Sequence, residues 1–195
     1  MRILNVTAQK PNSTGSGIFL SELMKEFANK GHTQALVAGV YPEEETPVPD
    51  RVTFYPVYFE QGKLSFPIVG MSDEMPYPST RYRDMTPKME AAFKESFLKQ
   101  LDEAVRDLNP DLILCHHLYL LTAIVREHFP DRKVFGFCHN TDLRQMQKTD
   151  LEREYITGQI RRLDRIFALH AEQKRTIQDI YDVPKEKIQV IGMGY

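Results

Sequence analysis

A chain of 195 residues with a formal net charge of −2 and 42 % hydrophobic residues is sized for one large domain or one half of a two-domain enzyme. Its apolar content supplies a full core and excludes a disordered chain, and the absence of a basic excess argues against a nucleic-acid partner. The longest apolar runs are strand-sized, far short of the roughly 18 residues of a membrane span, and the short run after Arg2 does not form a secretory signal pattern.

Arg2–Thr7 reads as the first strand. It passes through "TAQKPNSTGSG" into a helix over Ile18–Lys30, where Leu20, Leu23, Met24, Phe27 and Ala28 recur at helical spacing and Gly31 supplies a left-handed cap. Strands follow at Gln34–Gly39 and Val52–Phe59. Residues 60–85 hold three prolines and two glycines without periodicity. They read either as a surface excursion packed by its own aromatics or as an acceptor-binding loop using Phe66, Tyr77, Arg81 and Tyr82. Thr86 and Pro87 form an N-cap and first-turn pair opening the longest helix, whose stripe runs from Met89 through Phe93, Phe97 and Leu101 to Leu108, before "NPD" ends it. Strands at Leu112–His116, Lys133–Cys138, Arg165–Leu169 and Ile188–Ile191 alternate with helices at Leu120–His128, within Asp142–Leu163, and at Ala171–Tyr181. Runs such as "LVAGV" and "KVFGFC" are apolar on successive residues, as strands covered on both faces are. The alternation predicts an α/β, Rossmann-like doubly wound domain with a mainly parallel sheet and helices on both faces.

In such sheets a ligand binds outside the carboxyl ends of the strands, at the switch point of strand order. Three strand ends, "TAQKPNSTGSG", "CHHLYL" and "CHNTDLRQMQ", each turn polar after an apolar run. Gly15 and Gly17, with Ser16 between them, let the backbone approach a ligand, and the helix start beyond offers N–H groups to a phosphate. A simple turn is the alternative. The run fits neither GxGxxG nor GxxxxGK[ST], so the cofactors those motifs hold are disfavoured.

Strand alternation places Cys115 and His117 on one face and His116 on the other. A zinc hydrolase built from Cys115, His117 and His139 is conceivable, but CxxC and HxxxH spacings are missing and lone buried cysteines are ordinarily core residues, so no metal is expected. Two cysteines inside apolar segments, Cys115 and Cys138, point to a reducing, cytoplasmic compartment. His139, before the turn-like "NTD", is placed to donate to a substrate hydroxyl or to change charge near neutral pH, a structural histidine being the alternative. Arg144, one turn into the next helix, reads as an anion partner or a solvated arginine. His32 and His128 read as helix-end residues. The run Arg161, Arg162, Arg165 reads as a solvated face, with anionic lipid as its other partner.

With these residues in place, four stretches in order resemble the N-terminal domain of a GT-B-fold glycosyltransferase of family 4. They are "MRILNVT" with "GSGIFLSELMKEFANKGH", then "NPDLILCHHLYLL", "KVFGFCHNTDL", and "LDRIFALHAEQKRTIQDIYDVPKEKIQVIGMGY". The resemblance implies a retaining enzyme that moves a sugar from a nucleotide-sugar donor to a carbohydrate or lipid-linked acceptor, with no metal or other cofactor. This domain would hold the acceptor, and the cleft to a C-terminal domain would hold the donor. By position, Gly15, Ser16, Gly17 and Asn140 would face the donor's phosphates and sugar, and His139 the reacting centre. His117, Arg144, Tyr77, Arg81 and Tyr82 are the acceptor-side candidates. The enzyme would work in the cytoplasm, with peripheral contact at the inner face of the membrane. His170 stands where members often have serine, and "IGMGY" replaces their usual proline–asparagine linker. The family's second domain, which carries paired glutamates and a basic residue, is not in these 195 residues, so the chain alone is expected not to transfer sugar efficiently. A non-catalytic α/β binding module and a sugar-nucleotide epimerase of the same fold are the alternatives.

Overall fold

The computed structural model describes residues 1–192; of the linker-like "IGMGY", Met193–Tyr195 lie outside the described residues. The described residues form nine strands: β1 (Arg2–Thr7), β2 (Thr33–Val40), β3 (Val52–Tyr58), β4 (Val69–Gly70), β5 (Thr80–Arg81), β6 (Leu112–His116), β7 (Val134–Phe137), β8 (Arg165–Ala168) and β9 (Ile188–Val190). Six α-helices connect them: α1 (Gly15–Asn29), α2 (Pro87–Leu108), α3 (Leu120–His128), α4 (Thr141–Lys148), α5 (Arg153–Ile160) and α6 (Ala171–Tyr181). Seven strands form one parallel sheet in the order β3-β2-β1-β6-β7-β8-β9, so the direction of winding reverses between β1 and β6. That reversal is the switch point.

Helices cover both faces unequally. The alternating residues Leu4, Val6, Ala35, Val37, Ile113 and Cys115 point into a large core closed by α2 to α6. Ile3, Leu112 and Leu114 point the other way, onto Phe19, Leu23 and Phe27 of α1, and Leu36 and Ala38 meet Leu20 and Met24 beside them. The α2 stripe is buried at Phe93, Phe97, Leu101, Ala104 and Val105, and Thr86 caps this helix by accepting the Met89 N–H at 3.3 Å. Truncating Phe93 or Phe97 to alanine would cost about 3–5 kcal/mol, because both the transferred area and a cavity are lost.

Several strand ends shift by one residue from the sequence-based expectation, and two helical regions differ by more. The first helix starts at Gly15, three residues earlier than expected, because Thr14 is extended and its hydroxyl accepts the Gly17 N–H at 3.1 Å. Gly15–Ser16–Gly17 is therefore the helix's first turn, and the serine–threonine cap outweighs the glycines' preference for a loop. The 142–163 region splits into α4 and α5 around Glu152, whose φ of 45° interrupts helical geometry.

Residues 60–85 carry little regular structure but are well packed. Leu64, Ile68, Val69, Met71 and Tyr82 enter the core, and β4 pairs with β5. The Tyr41 hydroxyl ties the segment down by accepting the Ile68 N–H at 3.2 Å and donating to the Pro78 carbonyl. No helix among the described residues is long and apolar enough to cross a membrane.

Candidate functional site

At the carboxyl ends of β1 and β7, beside the switch point, lies a cleft of about 890 Å³. It is lined by Thr14, Gly15 and Ser16 at the start of α1, by Met71, Ser72, Glu74, Met75 and Pro76, and by Gln9, His139, Thr141 and Leu169 beyond the strand ends. The N–H groups of Gly15 and Ser16 have no hydrogen-bond partner among the described residues, since Thr14 caps Gly17 through its side chain and Ile18 through its carbonyl. These two N–H groups and the positive end of α1 have the chemistry that suits an anion. Gly17 sits differently. A Cβ built there would lie 2.8 Å from the Asn12 nitrogen and 3.2 Å from the Lys10 carbonyl oxygen, whereas one on Gly15 would meet nothing within 4 Å. Gly17 thus lets residues 10–12 fold back against the helix, and only Gly15 faces open space.

Two further histidines converge on His139 from behind the cleft lining. Strand alternation alone would send His117 to the face of Cys115, but His117 has a φ of 73°, which ends β6 and turns the ring toward β7 and α1. Its ring centroid lies 4.8 Å from that of His139, and the His116 ring stacks on the same residue at 5.5 Å. The expectation that Cys115 and His117 share a face is corrected accordingly. Cys115 lies in the opposite core, where burial pushes its thiol up to about 12. Among the described residues, no group of three His, Cys, Asp or Glu side chains has a metal-holding arrangement.

Hydrogen bonds tie the strand ends into one network. Ser16 Oγ lies 3.4 Å from Gln9 Oε1 and 3.1 Å from His117 Nε2, and His117 Nδ1 lies 3.4 Å from Thr141 Oγ1. His116 Nδ1 and His139 Nε2 are 3.3 Å apart. Burial pushes His139 down to about 4, and burial together with the neighbouring imidazoles holds His116 and His117 well below the ordinary histidine value. All three rings are therefore neutral at pH 7. Burial thus disfavours a charge change of His139 near neutrality and leaves its uncharged ring the capacity for a hydrogen bond.

Asp142 positions His139. It is fully buried, and its carboxylate accepts the Leu118 N–H at 2.7 Å and the His139 N–H at 3.2 Å, pinning the end of β6 to the end of β7. Asn140, held in a φ of 67°, accepts from Gln173 Nε2 at 2.7 Å, while Gln173 Oε1 accepts the Leu169 N–H at 2.6 Å. His170 caps α6 by accepting the Gln173 N–H at its Nδ1 at 3.2 Å, the task a serine performs at such a position.

Of the expected site residues, Gly15, Ser16 and His139 line the cleft directly, and His117 supports it from behind. Gly17 faces the 10–12 turn. Arg144 is exposed on α4 and does not line the cleft. The aromatic members of the 60–85 segment are not brought to it. Tyr82 is 1 % exposed with its ring 4.7 Å from that of Tyr119, and Phe66 packs on Phe59. Tyr77 packs near Tyr41, and Arg81 pairs with Asp84 at 2.6 Å on the surface. The same segment instead supplies Met71, Ser72, Glu74, Met75 and Pro76 to the cleft. Gln9 and Asp142 were not singled out from sequence, although "TAQK" and "HNTD" mark both as polar residues at strand ends. Of the basic run, Arg161 pairs with Asp182 and Arg162 donates to Gln159 Oε1 at 3.0 Å, near the opposite ends of the strands.

The Glycosyltransferase Family 4 profile matches residues 13–195. A comparison with curated protein sequences finds no significant match. Among solved structures, sucrose-phosphate synthase from Thermosynechococcus elongatus superposes with a TM-score of 0.70 at 10 % identity, covering 100 % of this chain and 48 % of that one. UDP-GlcNAc 2-epimerase from Neisseria meningitidis gives 0.57 at 13 % identity, over 97 % of this chain and 46 % of its own. An alpha,alpha-trehalose-phosphate synthase (UDP-forming) from Burkholderia vietnamiensis gives 0.55 at 13 % identity, over 92 % and 42 %. The chain thus spans about half the length of the structures it resembles, and it has the Rossmann-like α/β fold of one GT-B half. With the profile matched over nearly its whole length, the chain belongs to glycosyltransferase family 4.

Proposed function

We propose that the chain is the acceptor-side half of a retaining glycosyltransferase that moves a sugar from a nucleotide-sugar donor to an acceptor hydroxyl. The observation that carries this reading is that the unpaired N–H groups of Gly15 and Ser16 and the neutral ring of His139 border one cleft at the switch point. As the bond from the anomeric carbon to the phosphate oxygen breaks, negative charge grows on the leaving diphosphate and positive charge on the sugar ring. N–H groups at a helix start stabilise the first change without a cation, and one such donor is worth about 3–4 kcal/mol in comparable oxyanion sites. His139, uncharged, adds no repulsion to the developing positive ring and is placed to hydrogen-bond a sugar hydroxyl. The basic residues for the nucleotide would come from a second domain, and no metal is required by this scheme.

The test is transfer by the two-domain protein with His139→Ala. Turnover is expected to fall at least tenfold with the fold intact, and unchanged turnover would remove His139 from the reacting centre. The epimerase likeness supports a second reading in the same cleft. Product analysis separates them: transfer yields a glycosylated acceptor and a nucleoside diphosphate, whereas epimerisation yields a rearranged sugar nucleotide and no glycosylated acceptor.

A further inference from the structure

The cleft extends beyond the first turn of α1 as a groove between that helix and residues 71–76, and its chemistry changes along the way. Ile18, Phe19, Leu23, Met71 and Met75 make its walls apolar, and Ile18 is 55 % exposed. Its rim is acidic. Glu22, Glu26 and Glu74 line it, no lysine or arginine does, and among the described residues neither Glu26 nor Glu74 has an ion-pair partner. Glu22 and Glu26 follow Gly15 by seven and eleven residues, which places them about 10 and 16 Å along the helix axis from the phosphate-binding end. The anion-binding and acidic parts of the cleft are therefore separated along one helix.

A second observation points to a ligand in this cleft. Gln9 is 3 % exposed and lines the cleft; one atom of its amide is held by Ser16, and the other, Nε2, is buried without any partner. A buried amide left unpaired costs about 1–3 kcal/mol, which a ligand oxygen would recover.

We propose that Gln9 is a ligand-binding residue, and that the groove it serves takes an acceptor with an apolar body and a hydroxyl, neutral or cationic and not anionic. Only the word acceptor rests on the transferase reading; the ligand chemistry follows from the groove itself. An acceptor presenting a phosphate here would meet three lining carboxylates, of which Glu22 is paired with Lys25 at 2.7 Å, and no lysine or arginine in the lining.

The test titrates the 195-residue chain with three probes sharing one body: 4-(aminomethyl)benzyl alcohol, 1,4-benzenedimethanol and 4-(hydroxymethyl)benzoate. Binding is followed by NMR at the Gln9 side-chain amide and the Ile18 and Met75 methyl groups. The amine is expected to bind about fivefold more tightly than the diol, and the benzoate at least fivefold more weakly, in low salt where such fields act. Glu26→Gln with Glu74→Gln should collapse the amine–benzoate difference, and Gln9→Met should weaken the diol about fivefold while leaving that difference in place. A benzoate that binds as well as the amine, failure of all three probes to bind at tens of millimolar, or a Gln9→Met variant with unchanged diol affinity would overturn the proposal. The two readings fail separately. Rejection of the probes by a protein that still transfers sugar removes this inference alone. Probe binding as expected with no transfer product leaves the groove assignment standing and removes the transferase reading.

Discussion

Acid should destabilise this domain through its buried histidines, and His116→Phe should blunt the effect. A histidine in the unfolded chain has a pKa near 6.5, whereas His139 in the fold sits at about 4 and His116 and His117 well below 6.5. The native state therefore binds fewer protons, so stability is fully present above about pH 6.5 and is lost as pH falls toward the folded values. Between pH 7.5 and 5 the shift of His139 removes about 2 kcal/mol, and His116 and His117, also held below the ordinary value, act in the same direction. Against the roughly 5–15 kcal/mol stability of an ordinary domain that loss is measurable. His116 stacks on Phe137 with ring centroids 5.1 Å apart, and its Nε2 is buried without a partner, so phenylalanine suits the site and removes the proton site together with one unsatisfied atom. Urea midpoints measured at pH 7.5, 6.5, 5.5 and 5 should show a smaller pH-dependent loss in the variant. Equal pH dependence in both proteins, or a folded-state His116 resonance titrating near 6.5, would refute the reasoning.

Three further outcomes follow from the same geometry. Gly17→Ala should lower stability by about 2 kcal/mol in chemical denaturation, because its Cβ meets backbone at 2.8 Å, while Gly15→Ala, which meets nothing, should be neutral or slightly stabilising. Asp142→Ala should cost about 2–4 kcal/mol by orphaning the buried N–H groups of Leu118 and His139, with amide exchange at those two positions rising more than elsewhere. His170→Ser should preserve stability within about 0.5 kcal/mol, since serine accepts the same N–H, whereas His170→Ala should cost about 1 kcal/mol and lower exchange protection at the start of α6.

Periodicity made the fold legible. The α2 stripe and the continuous apolar runs of β2 and β7 reflect burial patterns that any register of the chain must satisfy, so the elements and their parallel winding could be read directly. The strand ends also pointed to the cleft, because polar residues closing apolar strands collect at the switch point. What could not be read was orientation set by single dihedral angles. The positive φ of His117 overrides strand alternation and brings the ring beside His139, and "CHHL" contains no glycine to announce it. Gly15 and Gly17 look equivalent in "GSG", yet one faces the cleft and the other the turn before it, a difference set by how residues 10–12 fold back. Of the two readings of the 60–85 segment, packing by its own aromatics describes Tyr82, buried in the core, and Phe66, packed against it, whereas Met71 and Met75 between them line the cleft.

The most direct measurement is a crystal structure of the two-domain protein with a non-hydrolysable nucleotide-sugar. The account predicts diphosphate oxygens within hydrogen-bond distance of the Gly15 and Ser16 N–H groups and the sugar ring beside His139 Nε2 or Nδ1. A diphosphate bound away from the start of α1, with His139 out of reach of the sugar, would contradict it.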